Sequence, residues 1–110
     1  MRSVDLRNFK RTESRVFTGR PVGQSARKSL NLDEFDKNDE SIEIIIPDDT
    51  MSVNSSFFSG MFQKSLKMLG EEKFREKYIF KCNKKIIIDV NIEKNIKICL
   101  LLLNSEDEEV

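Results

Sequence analysis

The stretch Ser41 to Leu69, SIEIIIPDDTMSVNSSFFSGMFQKSLKML, constrains the fold more than any other part of the chain. Ile42, Ile44, Ile45 and Ile46 are β-branched and nearly continuous, the pattern of a strand buried on both faces. Pro47 ends that strand, and Asp48-Asp49 reads as a turn. Asn54 or Ser55 then caps a helix, because both side chains accept hydrogen bonds from the unpaired N–H groups of a first turn. Phe58, Met61, Phe62, Leu66 and Leu69 share one face of that helix, with Phe57 beside them, and Gly70 is a normal stop. Gly60 in the helix interior costs about 1 kcal/mol relative to Ala. Its small size must therefore be used, and close approach of the helix to the sheet is the expected use.

The remaining segments fall around this unit. Met1 to Leu6 alternates weakly and predicts a short edge strand, with Phe9 as a core anchor at its end. Thr12 to Gly19 reads as a loop or a brief strand whose apolar residues are Val16 and Phe17. Pro21 suits the first turn of a helix. Val22, Ala26, Leu30 and then Phe35 give it a narrow apolar stripe, which leaves Arg27 and Lys28 facing away from the core or flanking it. Phe35 to Glu40 reads as an acidic loop. Glu71 to Lys77 reads as a polar link anchored by Phe74, and Tyr78 to Cys82 as a further strand.

Two periodicities compete after Asn83. Ile86, Ile88, Val90 and Ile92 alternate as a strand does, while Ile92, Ile96, Cys99, Leu100 and Leu103 follow helical spacing. The expectation is a short extended piece, then a helix from about Asp89 or Asn91 to Leu103, with the acidic tail 104–110 frayed. Strand and helix thus alternate three times. That order predicts a single α/β domain over residues 1–103, a mixed sheet of about four strands with helices packed mainly on one face.

With 110 residues the chain has room for one ordinary domain. It contains no His, the commonest general base and metal ligand, which weighs against hydrolases and structural zinc sites. Formal net charge is zero but unevenly spread. Residues 1–30 hold eight Lys/Arg against two acids, and residues 31–50 hold one Lys against eight acids. The two blocks are expected to neutralise each other, and a nucleic-acid partner is not expected without an overall basic excess. Cys82 and Cys99 match no metal or redox spacing and read as small core residues. Met1 to Lys10 is charged throughout, and the longest apolar run, Ile98 to Leu103, is far short of the ~20 residues that span a bilayer. The chain reads as a cytoplasmic protein with reduced thiols.

Little in the sequence points to catalysis. Asp48-Asp49 at a strand end could bind Mg²⁺ but lacks a third ligand, and is more often an exposed turn. Gly19-Arg20-Pro21-Val22-Gly23-Gln24-Ser25 resembles a glycine loop only loosely and lacks the Lys-Ser/Thr ending of a P-loop. No catalytic residue, metal ligand or cofactor is assigned. The informative cluster is Ser52-Val53-Asn54-Ser55-Ser56. A helix start favours anions, and a hydroxyl there is accessible to a kinase, whose phosphate adds about −1.5 to −2 charges. A plain Ser/Asn cap is the simpler reading of the same residues.

Over about Met1 to Leu103 the chain resembles the STAS-like domain family of bacteria and their mobile elements. The resemblance is carried by Val4-Asp5-Leu6-Arg7-Asn8-Phe9, by Thr12 and Arg15, by Gly23 and Arg27, by Ser55-Ser56-Phe57 and by Leu69-Gly70-Glu71-Glu72-Lys73-Phe74. That family is distantly similar to the anti-sigma-factor antagonists. In those proteins a Ser in an Asp-Ser-Ser-Gly motif at a strand-to-helix joint is phosphorylated by a partner of the histidine-kinase ATPase type, and phosphorylation releases the partner. Here Asn54 stands in place of the Asp and Phe57 in place of the Gly. The resemblance implies a non-catalytic regulatory protein–protein interaction module. Ser55, with Ser56, is its candidate switch, and Asp49, Ser52, Asn54, Ser55 and Ser59 form its partner-binding surface. The alternative is a small phage or mobile-element accessory or inhibitor protein that docks on a host protein or nucleic acid by charge.

Overall fold

A computed structural model of the chain describes residues 2–9, 16–17, 19–47, 50, 52–82 and 85–108; the side chains of residues 2, 8, 9, 16, 17, 85–88 and 104–108 are not described. The isoleucine strand, β3 (Ile42–Ile45), is the middle of a three-stranded sheet, between β1 (Arg2–Asp5) and β5 (Tyr78–Lys81). Both pairings are parallel, with Ile42 opposite Arg2 on one side and Tyr78 on the other. The ladder continues past the strand, where the Ile46 N–H donates to the Lys81 carbonyl at 2.8 Å. Ile42, Ile44 and Ile46 are buried, whereas Glu43 and Ile45 are half-buried. One face of the strand is therefore sealed and the other is only partly covered, in place of the two buried faces expected.

Parallel neighbours need long crossovers. Helices α1 (Arg20–Ser29) and α2 (Leu32–Lys37) lie in the first, and α3 (Ser55–Leu69) and α4 (Glu71–Lys77) in the second. After β5 the chain ends in α5 (Lys85–Glu108). The sheet is thus smaller than the mixed sheet of about four strands expected, and among the described residues it has no antiparallel pair. Two further strands, β2 (Val16–Phe17) and β4 (Ser52–Val53), pair parallel with each other in a separate two-residue ladder.

Three assignments change. Phe35 is not in a loop: α2 carries Leu32 and Phe35 into the core after Asn31 turns the chain in a left-handed conformation at φ 58°. Glu71 to Lys77 is helical although Phe74 is its one apolar residue, so no periodicity marks it. Helix α5 starts at Lys85 and continues through Glu108, in place of an extended piece and a frayed tail. Ile92, Ile96 and Cys99 are its buried stripe, and that tertiary packing overrides the β-propensity of the isoleucines before them. Phe9, Thr12 and Arg15 lie outside the described side chains.

Helix α3 is the hub, in contact with α1, α2, α4 and α5. Asn54 caps it, with Oδ1 accepting the Ser56 N–H at 2.8 Å, and it ends at Gly70 with φ 80°. Phe58 and Phe62 enter an aromatic cluster with Phe74, Tyr78 and Phe80, in which Phe58 and Phe62 lie 5.0 Å apart and Phe62 and Tyr78 5.3 Å apart between ring centres. The use of Gly60 differs from expectation. A Cβ there would overlap the backbone of Arg20, lying 3.1 Å from its carbonyl carbon and 3.2 Å from its Cα. The same crossing is tight at Gly23, where a Cβ would lie 3.0 Å from the Phe57 carbonyl carbon and 3.1 Å from the Met61 nitrogen. The glycines let two helices touch backbone to backbone; they do not bring α3 to the sheet. Among the described residues no helix is long and apolar enough to cross a membrane.

Ala has a higher helix propensity than Gly by about 1 kcal/mol, so Gly23→Ala would stabilise an uncrowded helix. Here overpacking dominates. Gly23→Ala is expected to lower stability by about 1–3 kcal/mol, read from the urea unfolding midpoint.

Candidate functional site

The joint between β4 and α3 is held from outside by α5. Val53 donates its N–H to Asn91 Oδ1 at 2.7 Å, and its carbonyl accepts from Asn95 Nδ2 at 2.8 Å. Asn91 and Asn95 are one helical turn apart, so a single face of α5 presents both groups. One residue of β4 thus has both backbone polar groups satisfied by side chains, and the buried Asn95 is satisfied in return. The next residue is the cap, Asn54, whose carbonyl accepts the Phe58 N–H at 3.0 Å. Chain entry into α3 is therefore fixed over two consecutive residues, Val53 and Asn54.

This arrangement sorts the expected surface residues. Asn54 and Ser56 are exposed, while Ser52 and Ser55 are half-buried. Ser59 is corrected: it is 3% exposed, and its hydroxyl donates to Gln63 Oε1 within α3, so it is not part of an exposed surface. Asp48 and Asp49, the possible Mg²⁺ pair, lie outside the described residues. Residues 20–25 of the loose glycine motif are the first turns of α1, and Gly23 serves packing. Among the described residues no group of three or more His, Cys, Asp or Glu converges to hold a metal. Cys99 is buried, and burial pushes its thiol up to about 11, which leaves it protonated and unreactive near neutral pH.

The largest departure from expectation is Arg27. It is 8% exposed, at the contact of α1, α2 and α3. Nη2 donates to Asp36 Oδ2 at 2.5 Å and to Asp33 Oδ1 at 2.7 Å, and Nε to the same Asp33 oxygen at 3.1 Å. Nη1 donates to the Met61 carbonyl at 2.9 Å and to Ser65 Oγ at 2.7 Å. Five bonds match the five N–H groups of a guanidinium, so the buried cation has no unused donor. Asp36, whose side chain is fully buried, also accepts from Ser65 Oγ at 2.8 Å and from the Tyr78 hydroxyl at 2.5 Å. Four elements, α1, α2, α3 and β5, meet in this network.

The electrostatics agree with a closed clamp. Burial works to lower the Arg27 pKa, but the hydrogen bonds and charges of Asp36 and Asp33 outweigh it and the net shift is upward. Burial, then the hydrogen bond to Asp36, raises the Tyr78 phenol well above its ordinary range, so it remains a donor. With the donors of Arg27 spent and the Asp36 carboxylate enclosed, the network ties the helices together. Lys77 plays a related part, donating to the carbonyls of Asn38 at 2.6 Å and Glu40 at 2.7 Å and closing the turn before β3.

The sequence held one sign of the network. Ser65 sits four residues after Met61 and three after Phe62, a polar residue inside the buried stripe of α3. Arg27 and Asp36 gave no such sign, because their partners are remote in sequence.

Comparison with known proteins finds no matching family model, no similar curated protein and no similar solved structure.

Two measurements check the electrostatics. Tyr78→Phe removes one donor to buried Asp36 and is expected to cost about 2 kcal/mol of stability in urea unfolding. The Arg27 hydrogen bond lowers the Asp33 pKa, and the Arg75 hydrogen bond lowers that of Glu93. Groups depressed on folding contribute stability above their unfolded values, and lose it as pH falls through about 4 toward the folded ones. Both side chains are about half exposed, so the effect is modest. Thermal unfolding of an Asp33→Asn, Glu93→Gln double variant should show a shallower acid limb than the parent below that pH, and an unchanged slope near neutrality.

Proposed function

We propose that this chain is a non-catalytic regulatory protein–protein interaction module of the STAS-like kind, acting in the cytoplasm and docking through the start of α3. The observation behind this reading is the capped, outward-facing first turn of α3, with Ser56 exposed and Ser55 half-buried next to the cap Asn54. A partner that reads this turn meets a preordered surface, because Asn91 and Asn95 fix the residue before the cap. The partner class implied by the resemblance is a histidine-kinase-type ATPase.

The switch is a phosphate on the first turn of α3. The helix dipole stabilises an anion there, so phosphorylation is compatible with the fold while adding charge to the docking face. Of the two candidates Ser56 is the better acceptor. It is exposed, and helical spacing puts it in line with the exposed Lys67. Ser55 points about 100° away from it around the helix axis.

Capture of native partners followed by phosphosite mapping tests the proposal. Ser56→Glu is expected to abolish retention of the partner and Ser56→Ala to preserve it, with Ser55→Glu intermediate. If both Glu variants keep every captured partner at parental levels, the phosphate switch is wrong. If the captured set contains no ATPase of this type, the proposed partner class is wrong.

A further inference from the structure

Beside the tight crossing of α1 and α3 runs a groove of about 580 Å³. Helical spacing on α1 brings Arg20 and Lys28 to it, and on α3 it brings Lys64 and Lys67. Asp33 is the one carboxylate in the lining. It is engaged twice by Arg27 and lies 3.4 Å from the Lys64 ammonium. Arg27 also lines the floor, but its five donors are spent on the clamp. Of the remaining cations Arg20 donates to Gln63 Oε1 at 3.5 Å, at the limit of a hydrogen bond, and keeps further donors for a ligand. Among the described residues Arg20, Lys28 and Lys67 have no carboxylate partner, and the Lys64 side chain is 62% exposed.

The acidic block does not cancel this charge. Asp33 and Asp36 serve Arg27, while Asp39 and Glu40 line a separate pocket with Lys73 and Lys77. Among the described residues the two blocks neutralise each other at the clamp, and the outer face of α1 and α3 keeps a local positive field in a protein of zero net charge.

The lining also restricts the ligand. Leu103 is its one large apolar side chain, and no aromatic ring faces the groove, so it offers no platform on which a base could stack. Gln24 and Asn31 add neutral hydrogen-bonding groups. The volume lies within the range of about 300–1,000 Å³ of small-ligand sites. These features select a compact ligand with several negative charges. We infer that the α1–α3 groove binds an oligophosphate group, held by Arg20, Lys28, Lys64 and Lys67, with Lys64 exchanging Asp33 for the ligand. Two sources share this chemistry: free inorganic oligophosphate and the phosphate chain of a nucleotide. The inference does not rest on the partner proposed for the start of α3.

Titration calorimetry of the full chain with inorganic tripolyphosphate at low salt tests the assignment. Saturable binding at one site is expected, weakening as salt rises because the cations are exposed. Lys28→Gln with Lys67→Gln should weaken it at least tenfold, while Lys73→Gln, outside the groove, should leave it unchanged. All three residues are exposed, so an unchanged thermal midpoint verifies the fold. A nucleoside triphosphate should bind no more tightly than tripolyphosphate. Absence of saturable binding, or equal binding by the double variant, would overturn the site. Tighter binding of the nucleoside triphosphate by tenfold or more would overturn recognition by phosphate alone, and stronger binding of a single-stranded oligonucleotide would overturn the compact ligand.

Discussion

Arg27 carries a full positive charge into the contact of α1, α2 and α3, where it is almost entirely shielded from water. An unpaired charge there would cost several kcal/mol. It is tolerated because every N–H group of the guanidinium meets an oxygen, and because Asp36 supplies the opposite charge from the next helix. Asp36 is in turn satisfied by Ser65 and by Tyr78. The result ties the first crossover to α3 and to β5, an edge strand of the small three-stranded sheet. Hydrophobic burial supplies most of the driving force in such a domain. The clamp adds direction, since only one placement of α1 and α2 on α3 satisfies all its bonds.

Gly23 and Gly60 make that placement possible. With side chains at either position the backbones of α1 and α3 could not approach, and Arg27 could not reach the Met61 carbonyl at 2.9 Å. The same crossing leaves the cationic groove on its outer side. At the start of α3, Asn91 and Asn95 set the entry of the chain into the helix. One helix thus presents a preordered first turn and a charged flank, on a scaffold in which the buried Arg27, Asp36, Ser65 and Tyr78 are engaged with one another.

What was legible in the sequence follows from how local each signal is. The isoleucine strand, the Asn54 cap, the apolar stripe of α3 and the Gly70 stop are all written in adjacent residues, and they stand where they were expected. Helix α4 was not legible, because seven residues with one apolar anchor carry no period. The start of α5 was misplaced because alternating isoleucines favour a strand until the remote contacts of Asn91, Ile92, Asn95 and Ile96 are known. The size of the sheet depends on pairings that no local pattern encodes. Arg27 is the plainest case: as one of several cations near the N-terminus it looked like surface, and only Asp36 and Ser65, brought to it by the fold, make its burial affordable. The capped start of α3 was legible as a place, and Ser59 was misassigned because its position on α3 is buried by packing.

A double-mutant cycle between Arg27 and Asp36, using Arg27→Met and Asp36→Leu in urea unfolding, tests the clamp most directly. Arg27→Met strands the buried Asp36 charge, and Asp36→Leu leaves Arg27 with only the half-exposed Asp33 as a carboxylate partner, so each single change should cost about 3–5 kcal/mol. The double variant strands neither, so its cost should fall short of the sum of the two by about 1–3 kcal/mol or more. Costs that add within about 0.5 kcal/mol would show that the two side chains do not act on each other, and would contradict the account of how this fold is held.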